Sequence, residues 1–234
     1  MLDPQAARAP RFPHGSRARL VFAFALLMAL ALNIVIVLGI VPRLLGMDRG
    51  DLFRGGPGSF VVLAAGMAYG MGVVTLGLLV GYGRVPLDVL GWRFDKVGAD
   101  LGAGLLGALA CVGVFLAVTP MFFDVTPGDL VEGFAAFSVP QHAMFVLIGI
   151  MAAFSEESVF RGHLQPQLLA RMPAPAAIAL QAALFSVYHL EPHPAALLCK
   201  FAFGCVYGAL AHHTKGLLAP AVAHFVFWQI VGFS

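Results

Sequence analysis

The residues able to do chemistry lie in three places in the C-terminal half of the chain. The densest is Phe154-Ser155-Glu156-Glu157-Ser158-Val159-Phe160-Arg161-Gly162, where two adjacent carboxylates close an apolar run. Ionisable groups in such a setting are costly and mark functional sites by default. On a helix Glu157 and Arg161 stand at i and i+4 and pair on one face, while Glu156 points about 100° away. One carboxylate is neutralised and the other is left to react. The plain alternative makes both glutamates interfacial charges beside Arg161. The other two places are Phe185-Ser186-Val187-Tyr188-His189 and Ala219-Pro220-Ala221-Val222-Ala223-His224, each of which sets an imidazole within or at the edge of an apolar span. A carboxylate kept out of bulk water, with imidazoles nearby, is equipped to activate water and to stabilise the oxyanion that forms at a peptide carbonyl.

The elements that must position these groups follow from composition. The 234 residues are 60% hydrophobic and 11% charged, where soluble domains carry about 25% charged residues, and the mean hydropathy is +0.89. That balance excludes an ordinary cytosolic enzyme, a disordered scaffold and a collagen-like chain. A net charge of +2 offers no phosphate-tracking surface, so no nucleic-acid partner is expected. The expectation is an all-α, polytopic membrane helix bundle with about seven transmembrane spans of roughly 20 apolar residues each. The candidate spans are 20–41, 59–82, 101–122, 139–158, 174–190, 195–211 and 217–233. The first follows Arg8, Arg11, Arg17 and Arg19 and could pass for a signal peptide cleaved near Ala29-Leu30-Ala31, but its apolar run continues beyond that point and reads as a retained span. With the N-terminus inside, the inner segments hold ten basic residues against four outside, so the positive-inside rule favours a cytoplasmic N-terminus.

The chain divides into a basic cytoplasmic N-terminus (1–19), three N-terminal spans with their loops (20–138) and a catalytic core (139–234). The N-terminal spans carry small-residue seams such as Gly66-xxx-Gly70, read as close helix packing. Gly55-Gly56-Pro57-Gly58 is a turn cluster, and the polar loop 83–100 contains Leu90-Gly91-Trp92-Arg93, expected at the membrane surface. Cys111, Cys199 and Cys205 are expected as small apolar core residues. His163 is expected to face the surface. One geometric conflict stands: Glu156 falls near the inner end of the fourth span and His189 near the outer end of the fifth. Either the fifth span begins deep in the membrane, or 160–172 is a re-entrant or surface helix.

Taken together, Glu156-Glu157-xxx-Arg161 with Gly162-His163-Leu164, then Phe185-xxx-His189, then His224, resembles the three motifs of the CPBP family, the CAAX prenyl endopeptidases and bacteriocin-processing intramembrane proteases also called Abi. The stretches from Phe203 to Leu210 and from Leu218 to Phe225 fit it too, and the likeness covers roughly residues 140–230. The resemblance implies a helical bundle with a water-accessible chamber, Glu156 as general base, Glu157 with Arg161 as its support, and His189 and His224 as transition-state partners. It implies an intramembrane endopeptidase acting on a peptide or protein substrate among membrane lipid. The Ala/Gly/Arg-rich composition hints at a GC-rich bacterial source, and the expected location is then the inner (plasma) membrane. The alternative is a non-catalytic adaptor or immunity protein of the same fold. Trp228 argues for it, because the family's third motif has Asn or Asp there, and loss of one oxyanion donor typically costs about 10²–10³ in rate. A transporter with a carboxylate–histidine relay is a third reading, unsupported by broken helices in inverted symmetry. The favoured mechanism uses no cofactor; zinc on the two glutamates and two histidines is the alternative, although no HExxH is present.

Overall fold

The computed structural model describes residues 87–122, 139–189 and 193–231, with the single positions 40, 43, 72, 128, 132 and 135. The spans expected at 20–41 and 59–82, the Gly55–Gly58 turn and the Gly66-xxx-Gly70 seam lie outside the described residues. Every regular element among the described residues is helical. In chain order these are α1 (Leu87–Leu90), α2 (Val97–Val118) with a 3₁₀ turn at Thr119–Met121, α3 (Val139–Glu157), a π-helical stretch (Ser158–Leu164), α4 (Gln165–Leu169), α5 (Ala174–Tyr188), α6 (Pro194–Thr214) and α7 (Leu218–Val231).

Two of these helical stretches, Val97–Met121 and Pro194–Thr214, are long and apolar enough to cross a membrane; α5 and α7 are shorter apolar helices. The side chains of α2 are distributed inside out. Its buried positions are Asp100, Gly104, Gly107, Ala108 and Cys111, while Leu106 is 70% exposed and Leu101, Leu105, Leu109 and Leu116 are exposed with it. Small residues face neighbouring helices and large apolar ones face out, the pattern of helices packed in lipid. A Cβ at Gly104 would lie 2.8 Å from the Ala219 carbonyl oxygen, so α7 approaches α2 nearly backbone to backbone.

The chain divides into two compact units. The first comprises Met1–Phe12, Pro86–Pro127 and Glu157–Gly232; the second comprises Pro13–Val85, Gly128–Glu156 and Phe233–Ser234. Within the first, α7 packs mainly on α2, and α6 packs on α5, α2 and α7. His193 caps α6, its Nδ1 accepting from the Ala195 N–H at 3.3 Å, and Pro194 occupies the first helical position, where its missing N–H costs nothing. The helix ends on Lys215 in the left-handed conformation, φ 58°. In the second unit α3 buries Phe145, Ile148, Gly149 and Ala152 along one face, at i, i+3, i+4 and i+7, and its last turns are buried more widely, with Ala153, Ser155 and Glu156.

The stretch after α3 departs from the sequence expectation of a surface-facing His163. Residues 158–163 are all buried, and α5, entered through Pro173 and Pro175, has only 15 residues, a length of about 22 Å. The short helix carries Phe185 to within 4.4 Å of the Arg161 guanidinium carbon, measured to the ring centroid. The 158–169 segment is a helical connection, buried over 158–163 and half-buried through most of its second part, and the last turn of α5 lies close to Arg161. The loop expected at the surface is likewise divided, with Leu90 and Trp92 buried and 93–96 exposed.

Candidate active site

The centre of the first unit is a buried ion pair. Arg161 Nη1 donates to Glu157 Oε1 at 3.0 Å, with both side chains fully buried. The same carboxylate oxygen receives a second bond, from His224 Nδ1 at 2.9 Å. The guanidinium reaches further, Nη2 donating to the Gly204 carbonyl at 3.3 Å, and it lies over the rings of Phe185 and Tyr207 at 4.4 and 5.1 Å from their centroids. Tyr207 also stacks on the His224 imidazole at 5.0 Å and 16°, so one ring braces both partners of Glu157. The i,i+4 pairing expected of Glu157 and Arg161 is present; its tie to His224 comes from a residue 67 positions away.

His189 sits just beyond the last turn of α5, its Nδ1 2.7 Å from the Phe185 carbonyl. Its ring lies 4.7 Å from the Phe185 ring, which lies 6.1 Å from that of His224. The proton inventory of both histidines follows from their partners. A carboxylate and a carbonyl only accept, so each Nδ1 carries the hydrogen. In the neutral form each ring then holds its lone pair at Nε2, and only a doubly protonated ring donates from Nε2.

Glu156, one residue before the ion pair, belongs to the second unit and is 9% exposed, against 0% for Glu157. Trp228 is half-buried and its indole nitrogen is out of solvent. Among the described residues no three His, Cys, Asp or Glu side chains gather in an arrangement that could hold a metal ion.

Two functional neighbours escaped the sequence reading. Gln181 Nε2 donates to the Gly204 carbonyl at 2.8 Å, the same oxygen that Arg161 contacts, and Gln165 Nε2 donates to the Gly208 carbonyl at 2.9 Å. Both glutamines are buried. The signal was present: an amide within the apolar run 174–190 is expensive unless it has a structural partner. The glycines make these bonds reachable, since a Cβ at Gly208 would stand 2.9 Å from Gln181 Nε2 and 3.0 Å from Gln165 Oε1.

His163, buried beside this cluster, accepts from Gln167 Nε2 at 2.9 Å, and burial pushes its imidazole down to about 4 from an ordinary 6.5. The unfolded chain therefore takes up this proton at higher pH than the folded one, and stability falls as pH is lowered from 6.5 towards about 4. Thermal unfolding of wild type and His163→Gln across that interval should show the steeper acid loss in wild type; parallel curves would exclude His163 as its source.

Residues 138–228 match the family described as type II CAAX prenyl endopeptidase Rce1-like, which supports the resemblance to the CAAX protease (CPBP) family that the motifs carry. No curated protein and no solved structure matches the chain.

Proposed function

We propose that the protein is a polytopic intramembrane endopeptidase in which Glu156 activates water against a peptide bond near the C-terminus of a membrane-associated, prenylated or otherwise anchored substrate. The observation that carries this reading is the engagement of Glu157, whose Oε1 already receives Arg161 at 3.0 Å and His224 at 2.9 Å. Its place is that of an anchor holding a buried guanidinium and an imidazole, which leaves the base to its neighbour.

In this mechanism Glu156 takes a proton from water, the water oxygen attacks the peptide carbonyl, and the proton passes to the departing amine. His224, held by Glu157, donates from Nε2 to the developing oxyanion when doubly protonated. His189, with Nδ1 committed to Phe185, offers a neutral Nε2 to the attacking water. The arrangement needs no metal, and the crowded Glu157 oxygen favours that version over zinc ligation. An inner-membrane setting with a cytoplasmic N-terminus fits the distribution of basic residues. Trp228 stands four residues after His224, where the resembled motif has Asn or Asp, and complete inactivity of the wild type would favour the non-catalytic adaptor instead.

The test is cleavage of a quenched fluorescent farnesylated peptide ending in Cys-aliphatic-aliphatic-X, in detergent micelles. His189→Ala and His224→Ala should each reduce kcat by about 10²-fold or more, the double variant losing less than the product of the two, as groups serving one transition state do. Multiplicative losses would assign them to separate steps, and a wild-type rate in either variant would remove that histidine from the site.

A further inference from the structure

The segment Leu90-Gly91-Trp92 lies outside the matched peptidase segment, yet its three residues touch both elements that hold the buried cluster. The Trp92 indole N–H donates to Ser158 Oγ at 2.9 Å across 66 residues of chain, and Ser158 directly follows Glu157. The Leu90 carbonyl oxygen rests on Gly162, which directly follows Arg161: a Cβ at Gly162 would lie 2.7 Å from that oxygen and 3.0 Å from Leu217 Cδ1. Gly91 reaches the other side, its carbonyl accepting from the Leu217 N–H at 2.9 Å at the start of α7, the helix that carries His224. Gly91 adopts φ +103°, a conformation that side chains rarely tolerate, and this turn is what lets Leu90 and Trp92 face the π-helical stretch while the intervening carbonyl faces α7. Such stretches are rare and concentrate at functional sites. The segment is itself fixed by bonds from Gly91 N–H to Asp88 O and from Trp92 N–H to Leu87 O, both 3.0 Å.

We propose that Leu90-Gly91-Trp92 is a positioning clip for the active site: by holding the π-helical stretch at Ser158 and Gly162 and the start of α7 at Leu217, it sets the hydrogen bond between Glu157 and His224. The proposal rests on the reading of these two residues as catalytic support. It differs from a general packing role in what it predicts. Ser158→Ala removes the hydroxyl that accepts this bond at almost no change of volume, and Trp92→Phe removes the indole N–H, with the pyrrole half of the ring, while keeping an aromatic side chain in the same place.

Both are tested as purified full-length protein, with the farnesylated quenched peptide and with proton–nitrogen spectra of histidine-labelled protein, in which the His224 Nδ1 proton is identified by its disappearance in His224→Ala. Trp92→Phe is expected to lower kcat on the order of tenfold with KM unchanged, since small misplacements of catalytic groups act on turnover. Ser158→Ala should do the same, and the double variant should lose no more than either single one. The His224 Nδ1 proton should shift in all three. An unmoved His224 resonance in Trp92→Phe overturns the proposal whatever cleavage does, and so do multiplicative losses. A shifted resonance in a protein that cleaves nothing, wild type included, supports the clip and instead refutes the endopeptidase reading.

Discussion

Glu157→Gln should both unfold the protein more easily and silence it. The substitution leaves the Arg161 guanidinium, a fully buried group, facing a neutral amide, and stranding one member of a buried pair costs about 3–5 kcal/mol. It also removes the anion that His224 Nδ1 contacts at 2.9 Å, so the surviving folded fraction loses the orientation of that ring. Arg161→Met should be similarly damaging because Glu157 is then the uncompensated charge. Joining the two in one protein should lose less stability than their sum, since no buried charge remains without its counterpart. Thermal unfolding in detergent with quantified membrane yield checks this; single variants as stable as wild type would show that the ion pair is not what holds the site.

Glu156→Gln should behave in the opposite way, with normal yield and unfolding temperature but turnover reduced by about 10²–10⁴, the range for loss of a general base. Glu156 lies in the buried last turns of α3, and Gln matches its volume, so packing is preserved while the proton acceptor is lost. Turnover per folded molecule is the quantity to compare. A fully active Glu156→Gln protein would transfer the base to another group.

Much of the local architecture was legible because helix periodicity and i,i+4 pairing are local. Val139–Glu157 and Ala174–Tyr188 begin where the sequence placed the fourth and fifth spans, each set off by proline. The Glu157–Arg161 pair was readable from spacing alone. The partnership of His224 with Glu157 was not, since it joins elements 67 residues apart and depends on how α7 docks against α2. The π-helical geometry of Ser158–Leu164 was hidden as well: no residue type encodes the widened turn, and the contacts that Leu90 and Trp92 make with it come from a distant segment. The burial of His163 followed the same logic, for a polar ring next to Gly162 looks like surface until the Leu90 carbonyl is known to cover that glycine. The glutamines Gln165 and Gln181 were visible as amides among apolar residues, but the carbonyls of Gly204 and Gly208 that satisfy them emerge only when α6 packs on α5.

The most direct measurement is mass spectrometry of the products formed when purified protein in liposomes meets a farnesylated peptide ending in Cys-aliphatic-aliphatic-X, before and after prolonged treatment with a strong chelator. The account predicts one new carboxyl terminus, formed by wild type with or without chelator and absent with Glu156→Gln. Cleavage that is lost to chelation and restored only by zinc, or that persists in Glu156→Gln, would contradict a glutamate-activated water.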